Sequence, residues 1–482
     1  MPTTIHLSAQ DALFSLSNHP LVHFFENKTR DVDFMPTARL WDSLKCALKS
    51  FPILIGHIQE TGRAVVVDES NPNLPDFVET SSSLHYGKLK EHQFNWNVWP
   101  STIATVGPVT APGHKGVIKL LSVHAVRLSD NSGLILFCNI PHYVLDGVGY
   151  YEFLGHWAML CRERGKQPAS HIPSPEPATS YVFDRSLLSR TLYAQRRSLD
   201  SKTVMFLTRK SCVSTIFAKL PYKLQTRLAS TALRFNHANA HYFHVSSAAL
   251  EGLYRLYCSK VTSVIDFNAD SLASYAMLTA LFSTAIIQAF VEKRNRRNFI
   301  CRMLDSALGY VSRTSSSALT ILNCVHAHKF LDIKYIGNPV FIQPVIAPLG
   351  GEKRDGAPSI FADVAEHIYT RVGSIDALLL GELYNTLQAN PNTYANLAMS
   401  VAMGQPLLTF IDEREYRTED VDFGCGSPSW VSALSWNMPN FIAFQACPQG
   451  LDGAIIYASL KDDILEYMFG NAFFTKYARL LF

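Results

Sequence analysis

The chain has 482 residues, of which 48% are hydrophobic and 17% charged, so it can bury the cores of two domains and lacks the polar bias of a disordered protein. Its 43 basic and 40 acidic residues give a net charge of +3, and this near balance excludes the strong overall charge that attracts nucleic acid or anionic membranes. Its nine cysteines form no CxxC pair, which argues against a disulfide scaffold and a zinc module and predicts a cytoplasmic protein.

The first half of the chain has the pattern of two helices and a hairpin. Residues 36–50 place apolar side chains on one face at helical spacing. Residues 117–126 and 134–140 are apolar runs that predict two strands, joined by an Asp-Asn-Ser-Gly turn. A second helical pattern covers residues 150–160, so the chain is predicted to run from strand through a tight turn into a helix.

A change of composition divides the chain. Prolines and then polar and basic residues concentrate between residues 165 and 202. Because proline fixes φ and lacks an N–H donor, this segment predicts a long surface crossover and not part of a sheet. We therefore predict an N-terminal domain of residues 1–200, the end of the crossover at residues 201–230 and a C-terminal domain of residues 231–482.

The second half ends in another predicted hairpin. Residues 441–447 and 454–460 have the pattern of strands around a glycine-containing turn, and a helix is predicted from about Lys461. Residues 271–291 are uncharged and precede the basic run 293–297, as a membrane span can, but their six Ser, Thr and Gln side chains favour a helix buried within the protein. Strands and helices without a regular βα period indicate an α+β fold with mixed sheets.

The turn after the strand at residues 134–140 carries the most specific pattern. His142 is followed by Asp146 and Gly147 in the spacing HxxxDG. An imidazole has an ordinary pKa of about 6.5, so a neutral histidine at pH 7 can take a proton from an attacking hydroxyl and return it to a leaving thiolate. We predict that His142 is a general base.

A second motif lies near the other end of the chain. The sequence Asp422-Phe423-Gly424-Cys425-Gly426 resembles the DFGWG motif of the BAHD acyltransferases, the acyl-CoA-dependent transferases of plants and fungi. Leu7, Ser8 and Asp11 resemble the opening of the family's sequences, and residues 51–57 resemble its FYPLAGR motif. Residues 335–338 resemble its YFGN motif, and residues 274–289 resemble the first core helix of its second domain. The pattern looks closer to fungal members, such as the trichothecene acetyltransferases, than to plant members.

The resemblance implies a fold and an activity. The fold is two similar α+β domains of the chloramphenicol acetyltransferase type, each a mixed β-sheet with helices, joined by the crossover and enclosing a tunnel for both substrates. The activity is acyl-CoA-dependent O-acylation, most plausibly acetylation, of a hydroxylated secondary metabolite such as a terpenoid or polyketide. Such an enzyme is an acyltransferase that moves groups other than aminoacyl groups, and it binds acyl-CoA and acceptor together in a ternary complex. The enzyme is expected to hold no bound cofactor and no metal, and to be a cytoplasmic monomer.

The resemblance also implies roles for single residues. The Asp146 carboxylate is expected to point away from the reaction and to pair with an arginine upstream of YFGN, but residues 324–329 contain no arginine, so His328 is the candidate replacement. Gly147 is expected to permit a sharp turn and close approach of the backbone to substrate. Thr409 is a candidate donor to the oxyanion of the tetrahedral intermediate, with an ordinary strand threonine as the alternative.

The DFGCG loop is expected to be structural, through Asp422, Phe423, Gly424 and Gly426. Cys425, at the position of the family's tryptophan, is expected to be a small packing thiol and not a nucleophile. Phosphate groups of coenzyme A need cations, and the basic run 293–297 is a candidate, although a solvated helix end is the simpler interpretation.

Other functions are weighed against this interpretation. His237, His241 and His244 have a spacing that would suit a zinc site on a helix, but a predicted strand there breaks the common face. A Ser-His-Asp hydrolase lacks its GxSxG elbow, and a peptide-condensing domain would carry a second histidine where Pro141 stands. The main alternative is a cyclase or binding protein that keeps the scaffold without transferring an acyl group.

Overall fold

A computed structural model of the chain gives its fold. The structure describes residues 2–8, 10–11, 14, 18–59, 64–105, 119–166, 181–193, 199–208, 238–261, 271–296, 318–331, 333–348, 356–390, 407–433 and 440–482. The chain divides into two compact units. Unit 1 comprises Met1–Thr191, Ala327–Val340 and Glu415–Ser435, and unit 2 comprises Leu192–His326, Phe341–Arg414 and Trp436–Phe482.

Unit 1 is built on a five-stranded mixed sheet in the order β12-β2-β7-β6-β5 and a small three-stranded sheet in the order β1-β4-β3. In the larger sheet β5 and β6 are parallel, and the other neighbours are antiparallel. The strands are β1 (Thr3–His6), β2 (Asn18–Glu26), β3 (His57–Ile58), β4 (Ala64–Val67), β5 (Asp76–Ser81), β6 (Ser122–Arg127), β7 (Gly133–Pro141) and β12 (Trp430–Ala433). The helices are α1 (Thr37–Ser50), α2 (Tyr86–Glu91), α3 (Gly147–Lys166) and α4 (Ser186–Tyr193).

The predicted helices at residues 36–50 and 150–160 are confirmed as α1 and α3, and they pack against each other. α3 buries apolar residues at helical spacing within this range, including Trp157, whose indole N–H donates to the Leu40 carbonyl of α1 at 3.0 Å. The predicted hairpin is confirmed as β6 and β7. Asp130 and Asn131 adopt φ of 54° and 49° between these strands, a conformation that these two residue types tolerate better than most.

Unit 2 contains a seven-stranded mixed sheet in the order β10-β9-β11-β13-β14-β8-β15. β9, β11 and β13 run parallel, whereas β13, β14, β8 and β15 pair antiparallel. The strands are β8 (Asn239–Val245), β9 (Ala318–His326), β10 (Val340–Pro348), β11 (Leu407–Asp412), β13 (Phe441–Ala446), β14 (Ala454–Leu460) and β15 (Arg479–Leu480). The helices are α5 (Ser201–Leu207), α6 (Ser247–Cys258), α7 (Ser271–Arg296), α8 (Ala357–Gly373), α9 (Ala377–Ala389), α10 (Asp462–Gly470) and α11 (Ala472–Tyr477).

The second predicted hairpin and its helix are confirmed as β13, β14 and α10. Gly450 and Gly453 adopt φ of 92° and 86° in the turn, and a side chain at Gly453 would lie 2.1 Å from the Val245 carbonyl oxygen. Glycine is required at this position by both its conformation and its close contact.

The uncharged segment at residues 271–291 is part of α7, the central helix of unit 2. The helix over Leu272–Lys293 is long and apolar enough to cross a membrane by length and composition, with a mean hydropathy of 1.5. The protein itself buries 78% of that apolar stretch, and α7 contributes residues along its length from Ala273 to Ala289 to the hydrophobic core of unit 2. The position of α7 agrees with the prediction of a buried helix.

The two units differ from the contiguous domains expected from sequence. The YIGN and DFGCG motifs were assigned to the C-terminal domain, whereas both lie in unit 1. Linear composition carries no signal for two later segments that return to the first unit. The proline-rich part of the predicted crossover, residues 167–180, lies outside the described residues. The first part of the expected linker forms α5, and residues 209–230 lie outside the described residues.

Candidate active site

His142 lies immediately after β7, in the turn that leads into α3. β7 is buried along its whole length, so it delivers the imidazole to the interior of unit 1, where His142 is 5% exposed. The turn is fixed by backbone hydrogen bonds: the Val144 N–H donates to the Pro141 carbonyl at 2.9 Å, and the Asp146 N–H donates to the Gly337 carbonyl at 3.2 Å. The predicted strand, turn and helix therefore hold His142 at a defined position.

Asn338 sets the protonation pattern of the His142 ring. Its side-chain nitrogen donates to the His142 carbonyl at 2.8 Å and to Asp11 Oδ1 at 2.9 Å, and both of these oxygens can only accept. The amide oxygen therefore faces His142 Nδ1 at 2.8 Å, and Nδ1 must donate. It follows that Nε2 of the neutral ring carries the lone pair that can accept a proton.

Behind Asn338 lies a buried ion pair. Asp11 and Arg185 are 0% and 3% exposed, and Arg185 Nε lies 3.1 Å from Asp11 Oδ2. The Ser8 hydroxyl also donates to Asp11, and a guanidinium nitrogen of Arg185 donates to the Val144 carbonyl at 2.8 Å. The charges thus compensate each other where they are buried, and they hold Asn338 and the turn after His142 in place.

Two aromatic rings flank His142. The ring of Phe14 stacks on it with the centroids 3.9 Å apart and an interplanar angle of 6°. The imidazole of His19, in β2, lies 3.9 Å away at an angle of 32°. Together with Asn338, these rings restrict the orientation of the imidazole.

Asp146 pairs with His328, the residue that sequence analysis named as the replacement for an arginine. Asp146 Oδ1 accepts the Gly149 N–H at the start of α3 at 2.9 Å, and Oδ2 lies 2.8 Å from His328 Nε2. The carboxylate is fully buried and both of its oxygens have partners. This arrangement fits the structural role expected for Asp146.

The pKa of His328 is raised above its ordinary value of 6.5. Burial lowers the pKa, but the adjacent Asp146 carboxylate favours the imidazolium and outweighs burial. A group with a raised folded-state pKa contributes its full stabilisation below its ordinary pKa and loses that contribution as the pH rises through the folded-state pKa.

We expect the free energy of unfolding to fall by about 1 to 2 kcal/mol as the pH rises from 6 to 9, through loss of the charged Asp146 to His328 pair. His328→Arg keeps its charge over this range, so its stability should decline less. Urea unfolding of both proteins at several pH values tests the difference. Parallel curves for the wild type and the variant would contradict the assignment.

Packing gives a physical reason for glycine at position 147. A Cβ at this position would lie 2.3 Å from the hydroxyl oxygen and 2.4 Å from Cζ of Tyr416, a side chain that is 9% exposed. The close approach in the structure is to a packed tyrosine ring, and the approach of the backbone to substrate stays a prediction. Glycine at this position lets Tyr416 pack against the first turn of α3.

Gly147→Ala should destabilise the protein by about 1 to 3 kcal/mol, because the added methyl group overpacks the contact with Tyr416. Tyr416→Leu should relieve the clash, so the double variant should be more stable than the sum of the two single effects predicts. Gly149→Ala is the matched control, since its Cβ would make ordinary contacts at 3.5 Å. Urea unfolding of the four variants measures the coupling, and strict additivity would refute it.

The DFGCG loop is held by its own aspartate. Asp422 Oδ1 accepts the backbone N–H groups of Gly424, Cys425 and Gly426 at 2.8, 3.0 and 2.8 Å. Gly424 and Gly426 adopt φ of 103° and 90°, which glycine accommodates without strain. These contacts fit the structural role expected for the loop.

Phe423 anchors the loop in the core of unit 1. It is 1% exposed and packs edge-on against Trp157 and Phe25, with centroids 4.9 and 5.7 Å apart. Burial raises the pKa of the neighbouring Cys425 thiol to about 12, so the thiol is protonated at neutral pH. This agrees with the prediction that Cys425 is not a nucleophile.

Thr409 lies in β11 of unit 2, between Leu322 of β9 and Phe441 of β13 in the sheet. It is 7% exposed, and its backbone N–H donates to the Asn440 carbonyl at 2.9 Å. It is thus a strand threonine, and its role as an oxyanion donor stays a prediction.

The remaining candidate sites are only partly within the described residues. Lys293 pairs with Asp463, whereas the side chains of Arg294 and Arg296, and all of Arg297, lie outside them. The prediction of a strand that breaks the three-histidine face is confirmed for His241 and His244 in β8, and His237 lies outside the described residues. Across the described ranges, no group of three or more His, Cys, Asp or Glu side chains is placed to hold a metal ion.

Several residues around His142 were not assigned a role from sequence. Asn338 and Asp11 belonged to quoted motifs, but their contact with the imidazole was not predicted. His19, Arg185 and Tyr416 were not singled out, and no short motif marks them. All of these contacts join residues far apart in the chain, so local spacing carries no signal for them.

Comparison with known proteins identifies related sequences and folds. A family model described as Transferase family matches residues 2–196, and a search of curated proteins finds no match. The structure of apo TRI101 from F. graminearum matches with a TM-score of 0.68 and 16% identity over 100% of both chains. The complex of F. graminearum TRI101 with coenzyme A and T-2 mycotoxin matches with a TM-score of 0.67 and 16% identity, also over 100% of both chains.

Vinorine synthase matches over 96% of this chain and 91% of its own, with a TM-score of 0.57 and 14% identity. At these identities the structural matches establish the fold, and the sequence match covers the segment that contains HxxxDG. The chain is therefore similar to a transferase family over residues 2–196, and over its whole length it shares the fold of TRI101 and vinorine synthase.

Proposed function

We propose that the protein transfers an acyl group, most plausibly acetyl, from acyl-CoA to a hydroxyl of a secondary metabolite such as a terpenoid or polyketide. The observation that carries this proposal is the contact between His142 Nδ1 and Asn338 Oδ1, which places the proton-accepting lone pair on Nε2. A transferase that uses an activated thioester needs a base for the acceptor and no nucleophile of its own.

In the proposed reaction, His142 Nε2 takes the proton of the acceptor hydroxyl as its oxygen attacks the thioester carbonyl. A carbon–oxygen bond forms, the carbon–sulfur bond breaks, and the imidazolium returns the proton to the thiolate of coenzyme A. The Nδ1 hydrogen bond to neutral Asn338 keeps one tautomer throughout. We propose Thr409 as a donor to the oxyanion, since polar donors directed at that oxygen lower the barrier.

Support for the choice of substrates comes from fold relatives. TRI101 of F. graminearum has been crystallised with coenzyme A and T-2 mycotoxin and, separately, with coenzyme A and deoxynivalenol. We extend the two-substrate arrangement, although not the individual toxins, to this chain. The intact histidine and its Asn338 partner favour a working base over a cyclase or binding protein that has lost acyl transfer.

The first test is calorimetric titration of the purified protein with coenzyme A and with acetyl-CoA. We expect saturable binding in the micromolar range, near about −8 kcal/mol. Thiol release from acetyl-CoA in the presence of a panel of hydroxylated terpenoids and polyketides then tests transfer. Absence of binding by coenzyme A, acetyl-CoA and longer acyl-CoAs would overturn the proposal and favour the cyclase or binding protein.

We further propose that the protein acts as a monomer in the cytoplasm of a fungus. The cysteines show no CxxC pair in the sequence, which supports a reducing compartment such as the cytoplasm. The likeness in fold to TRI101 of F. graminearum supports a fungal source. Light scattering coupled to size-exclusion chromatography checks the oligomeric state, and a dimer would contradict the proposal.

A further inference from the structure

A second imidazole lies against the proposed base. The rings of His142 and His19 have their centroids 3.9 Å apart, and both residues are nearly buried, at 5% and 6% exposure. Phe14 stacks on His142 at the same distance. Because two rings cannot occupy one face of an imidazole at 3.9 Å, Phe14 and His19 enclose the ring of His142 between them.

The charge of His19 decides what this contact does. A neutral aromatic face attracts the imidazolium that forms when His142 accepts a proton. A protonated His19 at the same distance repels it, and the repulsion is strong where water is largely excluded. Two imidazoles in one buried site therefore titrate as a coupled pair.

The other titratable groups near the pair are neutral or compensated close to pH 7. Tyr150 of α3 lies 5.8 Å from His19, and burial raises its pKa. His23, on the same strand, stacks on Tyr150 with the centroids 6.1 Å apart, and burial lowers the pKa of His23 to about 4. Asp11 reaches His142 through Asn338 and is neutralised by Arg185.

Asp146 follows His142 by one turn and is held by His328, while Tyr151 packs against Tyr150 and His23. Among the titratable groups named here, His19 is the one whose ring contacts the His142 ring, so its protonation changes the electrostatic potential at His142 most directly.

We propose that His19 is a positioning residue for the acyl-transfer base: its neutral ring fixes the plane of His142 and supports proton uptake, and its protonation switches the base off. The inference rests on the proposed function, because only a reaction that protonates His142 gives this contact a role. It adds a residue from β2 to a site otherwise built from the HxxxDG turn and the YIGN segment.

The test compares His19→Phe, which keeps a ring without a titratable group, with His19→Ala, which removes the ring. At pH 8, His19→Phe should retain kcat within about threefold, and His19→Ala should lose about tenfold in kcat with little change in KM, since the base is no longer held in place. The acid limb of the pH profile should move to lower pH in His19→Phe by about half a unit. Phe14→Leu is the control: it removes an aromatic face without removing a titratable group, so it should keep the coupled steps of the wild-type profile, which His19→Phe should lose.

A readout independent of turnover separates this inference from the proposed function. Nitrogen-15 NMR of the histidine rings follows proton uptake by His142 in the free protein, and it should show coupled steps in the wild type and one step in His19→Phe. His19→Gln serves in the same experiment if the larger phenylalanine prevents folding. Identical His142 titrations in the wild type and the variant would overturn the inference, whether or not acyl transfer is detected.

Discussion

Replacement of His142 by alanine is expected to lower kcat by about a hundred-fold to ten-thousand-fold, the range by which a positioned general base accelerates proton transfer. The variant should bind acetyl-CoA with nearly unchanged affinity, because the imidazole acts on the acceptor proton. Single-turnover assays of acyl transfer, together with calorimetry, separate these two effects.

Asn338→Ala provides the companion variant to this experiment. It leaves the imidazole in place but removes the acceptor that holds Nδ1–H at 2.8 Å, so both tautomers and other ring orientations become accessible. We expect a loss in kcat smaller than that of His142→Ala and a largely retained KM. Near-normal turnover of a folded His142→Ala protein would eliminate His142 as the base, and near-normal turnover of Asn338→Ala would eliminate the tautomer argument.

Arg185→Met is expected to destabilise the protein by about 3 to 5 kcal/mol, because it leaves the buried Asp11 carboxylate without its counter-charge. The two side chains are 3% and 0% exposed, so water cannot replace the guanidinium without a rearrangement of the segment. Urea unfolding measures the loss at pH 7.

Removing both charges distinguishes an ion pair from simple packing. In Arg185→Met combined with Asp11→Asn, no uncompensated charge is buried, so part of the lost stability should return. The exposed pair of Lys90 and Glu26 is the matched control, since its lysine is 53% exposed and Lys90→Met should change stability by less than about 1 kcal/mol. A double variant as unstable as the sum of its single variants would contradict the assignment of Asp11 and Arg185 as a compensating pair.

The elements with a strong local signal were predictable from the order of residues alone. Helical spacing identified α1 and α3, turn residues identified both hairpins, and polar residues within an apolar run identified α7 as a buried helix. The HxxxDG turn was also predictable, because a histidine after a buried strand and before a helix has few structural alternatives. The pairing of His328 with Asp146 followed from a family pattern in which one expected arginine is missing.

The contacts of His142 depended on the tertiary fold. Asn338 lies 196 positions from His142, and Asp11 lies 327 positions from Asn338, so no periodicity connects them. The two segments of unit 1 that follow residue 326 were predicted as part of the C-terminal domain for the same reason. Gly147 shows the distinction at a single residue: the sequence marks it as part of a motif, while the packed ring of Tyr416 supplies the physical reason that no side chain fits there.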